Sequence, residues 1–185
     1  MQIIMSLMSL QKPVYRDQFD RLLVEKSINR IQAMALAHEQ LYQTNDLSRL
    51  DLSSYLSGVI GEIASGNIQV GTDIEVTTKV DPLLLGLELA IPLGIIIYEL
   101  VNNAIEHGFP EGQRGRIEVR GVVQNDTCGI EVHDDGVGLP EGFDAQRNEN
   151  LGLLLVQMLS SQLGAKLEFH KDSGTLVRLI FPCPR

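Results

Sequence analysis

Four polar residues recur at helical spacing in a segment that is otherwise almost entirely apolar. Glu99, Asn103 and Glu106 are separated by four and three residues, and His107 follows directly. This spacing predicts one polar stripe on a buried helix, which we place at residues 91–107. Because buried polar groups need partners, two interpretations stay open. Either the stripe bonds to neighbouring loops, or Asn103 gives its amide oxygen to a divalent cation while Glu99 orients a water molecule or a substrate.

An acidic, glycine-rich segment follows a predicted strand. Asp134, Gly136 and Gly138 form the pattern Asp-x-Gly-x-Gly. A carboxylate at a strand end can accept a hydrogen bond from an exocyclic amine such as that of adenine, and glycines let the backbone pass close to a flat ligand. On its own, such a segment is more often only a turn.

A third candidate element is the start of a helix predicted at residues 153–163. Asn150, Leu151 and Gly152 precede it. The free backbone amides and the positive end of a helix can receive phosphate. A single glycine before a helix is weak evidence, so this element gains weight only beside the other two.

Charge is unevenly distributed along the 185 residues. The net charge is −9 for the whole chain, of which residues 1–66 contribute −1 and residues 67–185 contribute −8. This balance argues against a nucleic-acid surface, which needs clustered Lys and Arg. A polyphosphate bound by the acidic part would need a divalent cation to screen it.

Location and redox state are predicted from what the sequence lacks. The longest apolar run, residues 91–97, is interrupted by Pro92 and falls short of the roughly 20 residues that span a bilayer. The amino terminus has no basic leader, so we expect a soluble cytoplasmic protein without membrane contact. Cys128 and Cys183 are too few for a metal cage or a disulfide framework, and we expect two ordinary thiols.

The elements that must position these residues fall into two parts. In residues 1–66, apolar residues recur at threes and fours, and Asp51 stands where a helix cap is expected, so this part predicts a helical hairpin. In residues 67–185, Pro92 suits the first turn of a helix. The remaining pattern there predicts a first strand within residues 68–80, a short strand or turn at 83–89, and two strand pairs, 117–123 with 128–132 and 167–170 with 176–181. The predicted fold class is α+β: a helical hairpin, then an α/β sandwich whose mixed or antiparallel sheet is covered by helices on one face.

In this order, the three candidate elements resemble the N, G1 and G2 boxes of the GHKL superfamily, which includes histidine kinases, gyrase-type ATPases and the Hsp90 chaperones. Residues 90–104, and residues 30–42 with the sequence His-Glu-Gln-Leu-Tyr at their end, are similar to sensor histidine kinases with the HisKA_2 type of dimerisation domain. The resemblance covers essentially the whole chain. It implies a partial dimerisation hairpin at 1–66 and a Bergerat-type ATP-binding domain at 67–185.

The resemblance also implies roles for single residues. Asn103 would ligate Mg²⁺ bridging the phosphates of ATP, Glu99 would assist in-line transfer, and Asp134 would bind the adenine amine. Residues 141–150 would form a short lid. The other ATP-binding candidates would shape the pocket around the base and the phosphates: His107, Gly136, Gly138, Leu139, Leu151, Gly152, Leu153 and Thr175.

Two departures from the family pattern accompany the match. Glu106 stands where many relatives carry a Lys that can contact phosphate, a loss for which His107 can compensate. The resemblance places the family's phosphoacceptor histidine before the segment that matches residues 1–4, so we expect the acceptor upstream of Met1; the alternative is a kinase that phosphorylates a partner. His38 lies on the second helix of the resemblance and is not expected to be the acceptor.

The sequence therefore predicts the ATP-binding catalytic core of a two-component sensor histidine kinase. It would transfer the γ-phosphate of ATP to a histidine and on to the receiver domain of a response regulator, as a homodimer formed through the N-terminal helices. Two alternatives stay open. One is a scaffold that binds regulators through the hairpin and has lost ATP turnover, which Glu106 favours. The other is an anti-sigma-type serine kinase, which predicts no helical hairpin in front.

Overall fold

The computed structural model describes residues 18–43, 48–67, 74–110, 113–124, 126–147 and 150–183. Residues 1–17 of the predicted helical hairpin lie outside this part of the chain, as do residues 68–73 of the first predicted strand. Within the described residues the helices are α1 Gln18–Gln43, α2 Leu52–Asn67, α3 Leu87–Asn103 and α4 Leu151–Gln162. A π-helical turn, Ala104–Gly108, continues α3, and a 3-10 turn, Ala145–Arg147, precedes α4.

The seven described strands form two sheets. The short strands β1 Leu50–Asp51 and β3 Leu84–Leu85 pair with each other. The main sheet contains β2 Ile74–Val80, β4 Gly115–Gln124, β5 Thr127–Asp134, β6 Lys166–Lys171 and β7 Thr175–Pro182. Its order is β2-β4-β5-β7-β6, with β2 parallel to β4 and the other pairs antiparallel. The predicted α+β class with a mixed sheet is confirmed.

Helix α3 begins earlier than predicted. Gly86, in an extended conformation, accepts the first backbone hydrogen bonds of the helix, from Leu89 and Ala90 at 3.1 and 3.0 Å. Pro92 is therefore the sixth residue of the helix and not in its first turn. The missing N–H of Pro92 leaves the carbonyl of Glu88 without its helical partner. Because Glu88 is exposed, water can bond to that carbonyl, and the proline is tolerated.

One hydrophobic core joins the helices to the sheet. It contains Ala33 of α1, Tyr55 of α2, Ile96 of α3 and Ile117 of β4. The hydroxyl of Tyr55 donates to the carbonyl of Ala33 at 3.0 Å, and burial raises the pKa of this phenol. The domain boundary after residue 66 stays a prediction, and the packing of α1 and α2 on α3 continues across it.

The two cysteines are not free thiols. Cys128 of β5 and Cys183, directly after β7, form a disulfide across 55 residues of sequence. The expectation of ordinary thiols was wrong, because the pairing of β5 with β7 places Cys128 opposite Phe181 and brings Cys183 within reach.

The most apolar helix of the described residues lies inside the fold. Residues Leu87–Gly108 are long and apolar enough to cross a membrane, yet 72% of the most apolar window is buried. Burial of this kind is typical of the central helix of a folded domain, so length and composition alone are weak evidence for a span.

Candidate functional site

A cavity of about 750 Å³ opens between the end of α3, the sheet and the segment that precedes α4. Seven of the residues predicted from the sequence line it: Asn103, His107, Asp134, Gly138, Leu139, Leu153 and Thr175. Four others are not among its lining: Glu99, Gly136, Leu151 and Gly152. The structure thus brings together side chains that are up to 72 residues apart, from Asn103 to Thr175.

Asp134 is fixed at the end of β5 by backbone hydrogen bonds. Its Oδ1 accepts from the N–H of Gly136 at 3.0 Å and from the N–H of Thr175 at 3.2 Å. The residue is 4% exposed. Oδ2 takes part in neither bond, so the carboxylate is held in place by one oxygen and can offer the other to a ligand.

The glycines of the Asp-x-Gly-x-Gly segment are required by close backbone contacts. A Cβ on Gly136 would overlap the carbonyl of Gly108, which itself accepts from the N–H of Val137 at 2.9 Å. Gly138 has φ +77°, in the left-handed region that favours glycine. The segment therefore packs against the end of the π turn, and this contact defines one rim of the cavity.

The π turn after Asn103 contributes Ala104, His107 and Gly108 to the lining of the cavity. Such turns frequently occur at functional sites. Together with Leu100 and Asn103, these residues recur at threes and fours, the spacing that places side chains on one face of a helix. The side chain of His107 is 65% exposed, at the mouth of the cavity.

The polar stripe predicted on α3 divides into two sets. Asn103 and His107 line the cavity. Glu99 and Glu106 instead form ion pairs with Arg30 and Lys26 of α1. Glu99 and Glu106 therefore have protein partners, as the structural interpretation required, but on a helix and not on loops. Cation binding by Asn103 and the role of Glu99 in orienting a water molecule or a substrate stay predictions.

The start of α4 differs in detail from the prediction. Asn150 caps the helix, and its Oδ1 accepts from the N–H of Gly152 at 2.8 Å. A Cβ on Gly152 would collide with the carboxylate of Glu99. Gly152 is thus needed to make room for Glu99, whereas Asn150 and Leu153 are the residues here that line the cavity. Leu151 is 54% exposed and points away.

Sequence reasoning missed the walls of the cavity. On β5 the residues that line the cavity are Val132 and Asp134, and on β7 they are Thr175 and Val177. Within each strand the two residues are two positions apart and line the same side. Because alternate residues of a strand share a face, this spacing could have identified the valines. The same holds on β6 for Phe169 and Lys171, which also line the cavity.

An aromatic pair and two charges complete the lining. Phe143, in the segment predicted as the lid, packs on Phe169 with ring centroids 5.5 Å apart and planes tilted by 54°. Lys171 and Glu141 place one cation and one further carboxylate at the cavity. Among the residues that the structure describes, no cluster of three or more His, Cys, Asp or Glu could hold a metal ion by itself.

Comparison with known families identifies the family of the chain. Residues 88–185, which contain the whole cavity, match the profile of the histidine kinase-, DNA gyrase B-, and HSP90-like ATPases. The chain belongs to this ATPase family. Residues 1–66 match the HisKA_2 histidine kinase family, so the predicted recognition of a histidine kinase is confirmed. A HisKA_2 match in front of the ATPase domain also counts against an anti-sigma-type serine kinase.

Individual relatives of this ATPase are histidine kinases. The sensor histidine kinase PdtaS of Mycobacterium tuberculosis is 30% identical over 189 residues, which cover 100% of this chain and 37% of PdtaS. The blue-light-activated histidine kinase 2 of Erythrobacter litoralis is 29% identical over 169 residues, 89% of this chain and 47% of that kinase. The chain thus spans less than half the length of both relatives.

A solved structure has the same arrangement of helices and sheet. The histidine kinase domain of the blue-light activated kinase EL346 from Erythrobacter litoralis superposes with a TM-score of 0.79 and 25% identity. The match covers 97% of this chain and 82% of that domain, so the helical part is included with the ATPase part.

Proposed function

We propose that this chain binds Mg²⁺-ATP in the 750 Å³ cavity and is the catalytic core of a sensor histidine kinase. The observation that carries the proposal is the position of Asn103 and Asp134 on the same cavity, at the ends of α3 and β5. Membership of an ATPase family and the histidine kinase relatives support it.

Asp134 would select the base. A buried carboxylate that is already oriented by two backbone N–H groups can accept a hydrogen bond from the adenine amine without further ordering. Val132, Val177 and Phe169 supply apolar surface for the flat ring. Binding sites of this kind combine an apolar wall with a few polar groups that fix orientation.

The donor set near the end of α3 fits a magnesium ion that is shared with phosphate. Mg²⁺ is usually held by one or two protein oxygens together with water and phosphate, so the amide oxygen of Asn103 suffices on the protein side. When bound, Mg²⁺ would neutralise phosphate charge. His107 and Lys171 line the cavity and can both bond to phosphate, which offsets the absence of a Lys at position 106.

The histidine kinase relatives support a proposal for the acceptor and the partners. In this proposal the phosphoryl group passes to a histidine outside this chain, then to the receiver domain of a response regulator. The kinase works in the cytoplasm as a homodimer formed through the N-terminal helices. Glu99 would orient the attacking group, and the residues around Asp134 would hold the nucleotide in line for transfer, because phosphoryl transfer depends mostly on positioning and charge neutralisation.

Calorimetric titration with Mg²⁺ and a non-hydrolysable ATP analogue tests the site. Asp134→Asn keeps an acceptor oxygen for Gly136 and Thr175 but places an amide N–H₂ opposite the adenine amine. We expect affinity to fall about 10- to 100-fold, as for the loss of a hydrogen bond to a charged group. Asp135→Asn is the matched control, because the neighbouring Asp135 is exposed and bonds to the backbone N–H of Arg116 at 2.7 Å. Asn103→Ala should lose the dependence of affinity on Mg²⁺.

Two results would refute the proposal. If the native chain binds no nucleotide, the scaffold alternative is favoured. If Asp134→Asn and Asp135→Asn bind equally well, Asp134 does not contact the base. Label from γ-labelled ATP on His38, an exposed residue of α1, would contradict the assignment of the acceptor to another part of the protein.

A further inference from the structure

Residues 140–147, which precede α4, form two consecutive turns. In the first turn, the N–H of Phe143 donates to the carbonyl of Pro140 at 3.2 Å. In the second, Oδ1 of Asp144 accepts from the N–H of Gln146 at 2.9 Å. These short-range bonds fold the segment locally, but they do not fix its position on the rest of the domain.

Side-chain contacts with β6 and α4 fix that position. Phe143 packs on Phe169 of β6, with ring centroids 5.5 Å apart. On the other side, Nε2 of Gln157 on α4 donates to the carbonyl of Ala145 at 2.6 Å. A carbonyl oxygen only accepts hydrogen bonds, so this contact requires the N–H₂ group of a glutamine and is lost with a carboxylate or a thioether.

Gln157 lies beside the cavity without lining it. It follows Leu153, a lining residue, by one helical turn, so the two side chains share a face of α4. Gln157 is half-buried under the segment that it bonds, and it is not among the residues that line the cavity. Any effect of Gln157 on a ligand must therefore pass through residues 140–147.

We propose that Gln157 is a positioning residue of the nucleotide site, which holds residues 140–147 as a preformed wall of the base pocket. This inference rests on the proposed function. Glu141 and Phe143 of the segment line the cavity. While the segment is held, these groups are ordered before a ligand arrives, so binding does not bear the entropy of ordering them.

The position of Phe143 matters because the wall is apolar. Phe143 extends the surface of Phe169, which the proposed function places against the flat ring of the base. Dispersion contacts weaken strongly when a gap of 0.5–1 Å opens. The bond at Ala145, two residues after Phe143, keeps the segment from moving off the sheet. Gln157 thus contributes to affinity without touching the nucleotide.

The experiment measures nucleotide affinity and the position of the segment separately in the full chain. Calorimetry gives the Kd of a non-hydrolysable ATP analogue with Mg²⁺, and hydrogen exchange at the amides of Phe143 and Gln146 reports how often the segment opens. We expect Gln157→Met, which has a similar length and no donor, to speed this exchange and to raise Kd about two- to fivefold, as for the loss of one neutral hydrogen bond. Gln157→Glu, which has the same shape and no donor, should raise Kd at least as much.

Gln162 provides the matched control. It is the last residue of α4 and is exposed. Gln162→Met and Gln162→Glu make the same changes of side chain and charge on the same helix, and they should leave Kd and exchange at their native values. In a Phe143→Ala background, Gln157→Met should change Kd less than in the native chain, because the effect acts through the wall to which Phe143 belongs.

A native Kd for Gln157→Met would overturn the inference, even if exchange is faster, because the bond would then be structural only. An equal rise for Gln162→Met, or an undiminished effect in the Phe143→Ala background, would overturn it as well. If Gln157→Met fails to fold, Gln157→Asn, which keeps the amide but is one methylene shorter, gives the same test. A native chain that binds no nucleotide refutes the proposed function, whereas native binding that Gln157→Met leaves unchanged refutes only the role of Gln157.

Discussion

Substitution of Gly94 by Ala tests the contact between α2 and α3, on which the continuous core depends. A Cβ on Gly94 would overlap the hydroxyl and the ring of Tyr55. Tyr55 is 0% exposed, and its hydroxyl is held by the carbonyl of Ala33 at 3.0 Å. The ring therefore has no room to withdraw, and the new methyl group must displace one helix from the other.

The expected loss of stability is the difference of two terms. Replacing a glycine in a helix interior by alanine gains about 0.5–1 kcal/mol, because the unfolded chain loses freedom. Overpacking a well-packed core costs about 1–3 kcal/mol. Since the ring of Tyr55 is enclosed, we use the upper end of that cost and expect Gly94→Ala to lower the free energy of unfolding by about 2 kcal/mol. For a chain of this size the melting temperature should fall by about 4–8 °C.

Urea and thermal denaturation measure the change. Gly61→Ala is the matched control: it is also a helix-interior glycine, but a Cβ there meets nothing within 4 Å. It should raise stability by about 0.5 kcal/mol or more. In a Tyr55→Leu background, which removes the ring, Gly94→Ala should cost less than in the native chain, because the two sites are in contact. Equal stabilities for Gly94→Ala and Gly61→Ala would refute the packing of α2 on α3.

Two further predictions concern the sheet. Reduction of the Cys128–Cys183 disulfide opens a loop of 55 residues and should lower the free energy of unfolding by up to about 4 kcal/mol in the chain-entropy model. The urea midpoint of unfolding should therefore be lower in the presence of dithiothreitol. Identical midpoints with and without dithiothreitol would contradict the bond. At Glu118, hydrogen bonds from Arg120 and Lys79 lower the pKa from 4.5 to about 2. These bonds therefore contribute their full stabilisation at pH values above the ordinary pKa of a glutamate, and the contribution is lost as the pH falls towards 2. Glu118→Gln should therefore be less stable than the native chain at neutral pH, with a difference that disappears near pH 2, and a difference independent of pH would count against the pairing.

The sequence predicted strands better than helix ends. The strand pairs were found because alternate apolar residues mark a half-buried strand, and β5 keeps that alternation up to Asp134. The start of α3 was misplaced because Pro92 is favoured in the first turn of a helix, whereas the helix begins directly after Gly86. Local preference cannot reveal that Glu88, four residues before the proline, is exposed, which makes the proline tolerable.

Sequence patterns could not predict which residues contact each other when they lie far apart along the chain. Helical spacing placed Glu99 and Asn103 on one stripe, but it could not show that Glu99 pairs with Arg30 of α1 whereas Asn103 lines the cavity. Similarly, the disulfide depends on the register between β5 and β7, and nothing in the spacing of Cys128 and Cys183 encodes that register.

Because the π turn Ala104–Gly108 lies at the cavity, the geometry of the site depends on the number of residues in this turn. Deletion of one residue there would shorten the helix by about 1.5 Å and draw the residues after the turn back towards Asn103. Gly108 would then no longer meet Gly136, and His107 would be displaced from the mouth of the cavity. Insertions and deletions in this turn should therefore be far less tolerated than changes of its side chains.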